Sequence, residues 1–84
     1  MPTVDKIYSS IMDAAQDRNI RFTDLQKLLD YFNFECRIKG DHFVYTLKSV
    51  QEIINIQPDG NKAKSYQVKQ IRTLLTKYKL KVKV

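Results

Sequence analysis

Apolar side chains early in the chain recur at helical spacing. Val4, Ile7, Ile11, Ala14 and Ala15 share one side of a helix drawn over residues 4–18, and Thr3 stands at its N-cap position. The period breaks at Asn19-Ile20-Arg21-Phe22. Thr23-Asp24-Leu25-Gln26 then matches a capping box, in which the hydroxyl takes one orphan N–H and the glutamine reaches back to another. A second helix is expected from there, with Leu25, Leu28, Leu29 and Phe32 as its buried stripe and its end near Asn33.

From Phe34 the period changes to two. Phe34, Cys36 and Ile38 alternate with Glu35, Arg37 and Lys39, the pattern of a half-buried strand. Gly40-Asp41 suits a type II′ hairpin turn, and His42–Leu47 forms the returning strand, with Phe43, Tyr45 and Leu47 turned to the helices and His42, Val44 and Thr46 away. Residues 48–50 form a loop. Isoleucine-rich residues 52–57 make a third strand, stopped by the turn sequence Pro58-Asp59-Gly60. Ser65 then caps a last helix over residues 66–78, with Val68, Ile71, Leu74, Leu75 and Tyr78 facing inward. In residues 79–84 Lys alternates with Leu or Val, which fits either a short edge strand or a basic tail.

The order is helix, helix, three-stranded antiparallel meander, helix. That predicts a two-layer α+β domain with helices on one sheet face and the other face open. A chain of 84 residues without internal repeats is one domain. Its single cysteine, Cys36, excludes an internal disulfide framework, and one Cys with one His cannot build a structural zinc cage. The longest apolar run is Phe43-Val44-Tyr45, so neither a signal peptide nor a membrane span is expected, and the expected location is cytoplasmic.

Charge changes the picture more than composition does. Fifteen Lys and Arg against nine Asp and Glu give a net +6, but residues 1–34 carry −1 and residues 35–84 carry +7. No acid follows Asp59, whereas Lys62, Lys64, Lys69, Arg72, Lys77, Lys79, Lys81 and Lys83 do. This one-sidedness suits a polyanionic partner, although solvated lysines on a helix read the same way.

No phosphate-binding glycine loop, His-Glu-x-x-His motif or nucleophile elbow is present. The only histidine, His42, follows the Gly40-Asp41 turn on the polar side of its strand. An ordinary imidazole titrates near about 6.5, so at neutral pH it can take a proton from an RNA 2′-hydroxyl without metal.

Several short segments, in this order, support that chemistry. Lys39-Gly40-Asp41-His42-Phe43-Val44-Tyr45, then Asn55-Ile56-Gln57-Pro58, then Lys62-Ala63-Lys64-Ser65-Tyr66-Gln67-Val68 ahead of Arg72 together resemble the HicA toxins, small bacterial mRNA interferases. The resemblance covers roughly residues 21–80, leaving residues 1–20 as an additional N-terminal helix, 21–78 as the core and 79–84 as a basic tail. It implies a fold similar to a double-stranded RNA-binding domain, His42 as the catalytic residue, and Gly40 and Asp41 as its supporting turn. Where the family usually has serine, this chain has Asp41, and Phe43 stands where many members have a second histidine. A carboxylate there favours a protonated imidazole or holds its tautomer, and also repels phosphate. Lys39 and Lys64 are candidates for steadying phosphate charge at the site, and Lys62, Lys69 and Arg72 for tracking the RNA backbone; Tyr45 and Tyr66 are candidates for base stacking. No cofactor or metal is expected. The implied partners are mRNA and a HicB-type antitoxin, with operator DNA engaged only through that antitoxin and no membrane contact. The competing readings are a non-catalytic RNA-binding module of the same fold and a degenerate toxin acting as an interaction protein.

Overall fold

The computed structural model describes residues 3–82. Their order is α1 (Val4–Met12), a 3-10 turn (Ala14–Gln16), α2 (Phe22–Tyr31), β1 (Glu35–Lys39), β2 (His42–Leu47), β3 (Val50–Ile56), the two-residue strands β4 (Pro58–Asp59) and β5 (Lys62–Ala63), and α3 (Ser65–Lys77). Strands β1, β2 and β3 form an antiparallel sheet in that order. The helices cover one face of it, giving the α+β architecture that the sequence pattern predicts. The core joins Ile7 and Ile11 of α1, Leu25, Leu28 and Leu29 of α2, Tyr45, Ile54 and Ile56 of the sheet, and Val68, Ile71, Leu74 and Leu75 of α3. The N-terminal helix is therefore part of the common core.

That helix is shorter than its apolar spacing predicts. Asp13 leaves helical backbone (φ −98°, ψ 107°) and its carboxylate accepts the Ala15 N–H at 3.0 Å, so the side chain competes with the next helical turn and starts the 3-10 segment instead. Ala14 and Ala15 are consequently exposed rather than buried. The segment is fastened from outside. Arg72 of α3 donates to both Asp17 carboxylate oxygens, at 2.6 and 3.2 Å, and to the Ile11 carbonyl at 3.2 Å. Asp17 is its largest influence and raises the Arg72 pKa, so the guanidinium stays charged and fixed to the first layer of helices.

The helix starts also differ in detail. Helix α2 begins one residue before Thr23, with Arg21 at its N-cap position and no side-chain cap, so the expected capping box does not form. Backbone pairing replaces it, because the hairpin of β4 and β5 docks on this entry: Phe22 N–H donates to Asn61 O at 3.0 Å and Ala63 N–H to Ile20 O at 2.9 Å. In α1 Thr3 does hold the N-cap position, but its hydroxyl bonds to Asp5 rather than to the backbone. Lys64 is the N-cap of α3 and Ser65 its first residue, so the helix begins one residue earlier than predicted.

Both long C-termini close in the same way. Asn33 takes φ 67° and Phe34 N–H reaches back to Leu29 O; Lys79 takes φ 54° and Leu80 N–H reaches back to Leu75 O. These six-to-one bonds satisfy carbonyls that the helices leave open. Residues 79–82 form no strand. Leu80 and Val82 fold back onto the core, and Tyr8 Oη donates to Leu80 O at 3.3 Å. Residues 83–84 of the predicted tail lie outside the described residues.

In the sheet, Cys36 pairs with Tyr45 and Ile38 with Phe43, so the predicted alternation has the correct facing. It does not bring burial. All five residues of β1 are exposed, because β1 is an edge strand and the helices cover the sheet only over β2 and β3. Only Phe34, just before the strand, is buried. On the other side, three residues of β3, Gln51, Glu52 and Ile53, stand between pairs that enclose Thr46 alone on β2. Alternation alone turns Val50 and Ile54 to the core and Ile53 outward; at the bulge Glu52, between the two buried residues, stays exposed.

Tyr45 lies 2 % exposed in the centre of the core, which excludes it as a stacking surface for bases. Burial pushes its phenol well above the ordinary tyrosine value. A folded value raised above the unfolded one stabilises the fold fully below about pH 10 and is lost as pH rises beyond it. Tyr45→Phe removes the ionisable group, so its alkaline unfolding midpoint, followed by circular dichroism, is expected at higher pH than that of the wild type. An unchanged midpoint would show that Tyr45 does not limit alkaline stability.

Candidate functional site

The tight turn between β1 and β2 places His42. Gly40 takes φ 60° while Asp41 does not share the positive φ, the pattern of a Gly-first type II′ turn. Nothing lies within 4 Å of a side chain built at Gly40, so backbone conformation rather than space requires the glycine. His42 opens β2 opposite Lys39 and points to the face away from the helices, with its side chain 48 % exposed.

Two amides hold the ring. Nδ1 lies 3.2 Å from Asn55 Oδ1 and Nε2 lies 3.2 Å from Gln57 Nε2. An amide oxygen only accepts and an amide nitrogen only donates, so these partners together fit one tautomer: Nδ1 carries the proton and Nε2 keeps its lone pair. Strand register brings these residues together. Val44 pairs with Asn55 and Phe43 with Ile56, and one step further sets Gln57 across from His42.

Gln57 is itself held from three directions. Its side-chain nitrogen also donates to Asp41 Oδ2 at 3.2 Å, its side-chain oxygen accepts from Lys64 Nζ at 3.1 Å, and its backbone N–H donates to Gln67 Oε1 at 3.1 Å. Gln67, in the first turn of α3, is the one buried polar side chain among the described residues, at 5 % exposure. Its nitrogen donates to Asn55 O at 3.4 Å. The Gln67 amide thus mimics a peptide group of a further strand, closing the end of the β3 edge and tying α3 to the two residues that grip the histidine. Asp41 Oδ1 stands 3.7 Å from His42 Nε2.

Beside the ring is an open hollow of about 330 Å³, lined by His42, Ile53, Asn55, Gln57, Tyr66, Gln67 and Gln70. Tyr66, at 63 % exposure, presents its ring there. Lys39 faces a neighbouring depression of about 340 Å³ on the outer sheet surface, with Arg37, Val44, Thr46 and Ile53.

The structure gathers only some of the residues the sequence singles out. His42, Gly40, Asp41, Lys39 and Lys64 converge at the end of the first hairpin. Lys69 is exposed on α3 and lines a separate groove between α3 and β3. Lys62 sits on β5, exposed, beside Arg21. Arg72 is committed to Asp17 and Ile11, away from the histidine face. Asn55, Gln57 and Gln67 are the residues that sequence reasoning passes over. Their amides carry neither charge nor hydrophobic period; the register between β2 and β3 points to Asn55 and Gln57, and the packing of α3 on that strand end points to Gln67.

Among the described residues no helix is long and apolar enough to cross a membrane, and no group of three or more His, Cys, Asp or Glu is placed to hold a metal ion. Comparison with protein-family models, curated proteins and solved structures finds no match to this chain.

Proposed function

We propose that this chain is an endoribonuclease toxin of the HicA kind, acting on mRNA in the cytoplasm without metal. The observation that carries the reading is the half-exposed His42 ring, which lines an open hollow with its Nδ1 tied to Asn55 and its Nε2 linked through Gln57, by two hydrogen bonds, to Lys64. In the reaction Nε2 takes the 2′-hydroxyl proton, the 2′-oxygen bonds to the adjacent phosphorus, and the P–O5′ bond breaks. Water supplies the proton for the departing 5′-oxygen. The products are a 2′,3′-cyclic phosphate and a 5′-hydroxyl end. Asp41 offsets the positive charge of the imidazolium as it forms, and Lys39 and Lys64 stabilise charge on the phosphorane.

The exposed hairpin end and outer sheet face also suit a covering protein, which the reading identifies as a HicB-type antitoxin that contacts operator DNA on behalf of the pair. Incubating the purified chain with RNA in the presence of EDTA tests the activity: cleavage with cyclic-phosphate ends is expected. RNA that is retained but left intact would instead make the chain a binding module.

Asp41 sets a further expectation. Its carboxylate is exposed and lies where phosphate must approach, so Asp41→Ser is expected to lower KM for RNA and raise kcat/KM severalfold at low salt, with the gain shrinking at high ionic strength. Steady-state kinetics at two salt concentrations check it, and an equal gain at both would rule out the electrostatic cause.

A further inference from the structure

We propose that Gln57 is a gate on His42: at rest its amide NH2 covers the basic nitrogen, and an RNA phosphate that takes Lys64 releases it. The inference rests on the reading of this site as an RNA-cleaving centre and adds how the base is kept idle. The bond from Gln57 Nε2 to His42 Nε2 uses the same lone pair that must accept the 2′-hydroxyl proton. A resting ring held in this way is a correctly oriented base with its working nitrogen occupied.

What keeps the amide facing that way is Lys64. A glutamine amide turned end for end would put its oxygen on the histidine and its nitrogen on the lysine, placing two donors face to face. With Lys64 Nζ on the Gln57 oxygen and Asp41 Oδ2 accepting from its nitrogen, only the covering orientation satisfies all four groups. The backbone cannot drift to relieve the clamp, because Gln67 holds Gln57 N–H and Asn55 C=O. Lys64 is also a cation that a phosphate brought to the ring can draw off the Gln57 oxygen. Its withdrawal to a phosphate leaves the Gln57 oxygen unpaired and the amide held in the covering orientation by Asp41 alone, which lowers the cost of turning it off the ring. Its oxygen can accept from the imidazolium Nε2–H, so the same side chain blocks the neutral ring and stabilises the protonated one.

The charged and titratable groups facing the ring are Asp41 and Lys39 from the hairpin, Lys64 through Gln57, and Tyr66 of α3 across the hollow. Asn55 acts on the opposite nitrogen. Its oxygen accepts from Nδ1–H in both protonation states, more strongly from the cation, so it favours the charged ring and fixes the tautomer. The two amides therefore oppose each other. Removing Gln57 raises the basicity of the ring and removing Asn55 lowers it.

Because His42 is the only histidine, one imidazole signal reports on the gate without any need for catalysis. Nitrogen-15 NMR of the free protein above the titration is expected to show the Nδ1–H form, the tautomer that free histidine disfavours in water. Gln57→Ala is expected to move the titration midpoint up, Lys64→Met to move it in the same direction, and Asn55→Ala to move it down. Adding a 2′-O-methyl RNA oligomer, which binds but cannot be cut, is expected to move both midpoints upward, because phosphate favours the imidazolium, and to move that of the wild type further than that of Gln57→Ala. A resting Nε2–H tautomer, or shifts of one sign in Gln57→Ala and Asn55→Ala, would overturn the gate whether or not the protein cleaves RNA. Correct free-protein shifts with the same response to bound oligomer in wild type and Gln57→Ala would overturn its opening by phosphate. Absence of RNA cleavage beside the expected shifts counts against the ribonuclease reading alone.

Discussion

Replacing His42 with alanine is expected to lower RNA cleavage by about 10²- to 10⁴-fold while leaving the fold as stable as before, within about 0.5 kcal/mol. The two halves have separate causes. The activity falls because no other side chain among the described residues pairs a basic nitrogen with an open hollow at this hairpin end; Lys39 and Lys64 are cations at neutral pH and cannot take the 2′-hydroxyl proton. The fold survives because the ring is half exposed, and the Asn55 and Gln57 amides that lose it face solvent and can bond to water. A quenched fluorescent RNA substrate gives the rate and a urea titration gives the stability. Equal cleavage by wild type and variant would place the chemistry elsewhere or nowhere in this chain, and a large loss of stability would make the activity result uninformative about catalysis.

Gln67→Leu is expected to have the largest effect on stability of any change near the site, about 2 to 3 kcal/mol, together with a loss of most activity. Leucine fills the same buried space but offers no polar atoms. Gln57 N–H and Asn55 C=O, both part-buried, would lose their partners at once, and each unsatisfied group costs about 1 to 3 kcal/mol. Asn55 and Gln57 would then no longer be held at hydrogen-bonding distance from the two ring nitrogens. Urea unfolding measures the first effect. The second is distinguished from simple unfolding by assaying at a temperature where the variant remains folded by circular dichroism. A stable variant with normal activity would show that α3 does not position the histidine through this amide.

Local order was legible in the sequence wherever one residue type enforces one geometry. Gly40 marks the hairpin turn, period-two spacing marks β1 and β2, and helical spacing in residues 68–75 marks the buried face of α3. Reading failed where the outcome depends on distant partners. Spacing shows which way Cys36 and Ile38 face, but not that β1 lies beyond the reach of the helices. It shows Arg72 as one more cation on a basic helix, while its partner Asp17 lies 55 residues away in sequence. It continues α1 through Asp13, because a helix period does not register a side chain that competes for backbone N–H groups. At the candidate site, the histidine and its turn are visible in the sequence. The amides that set the direction of the ring are not, since Asn55 of β3, Gln57 just beyond it and Gln67 of α3 become a unit only after β3 and α3 have packed.

The outermost strand of the sheet carries one more consequence. Along β1 the side chains turned away from the helices are Glu35, Arg37 and Lys39, and the unpaired backbone beside them is an invitation to any other extended chain. Two like-signed cations on so short a ribbon make stacking of one molecule's border on another's electrostatically costly. Concentrated solutions should therefore stay dispersed, and swapping Arg37 and Lys39 for valine should seed fibrils that bind thioflavin.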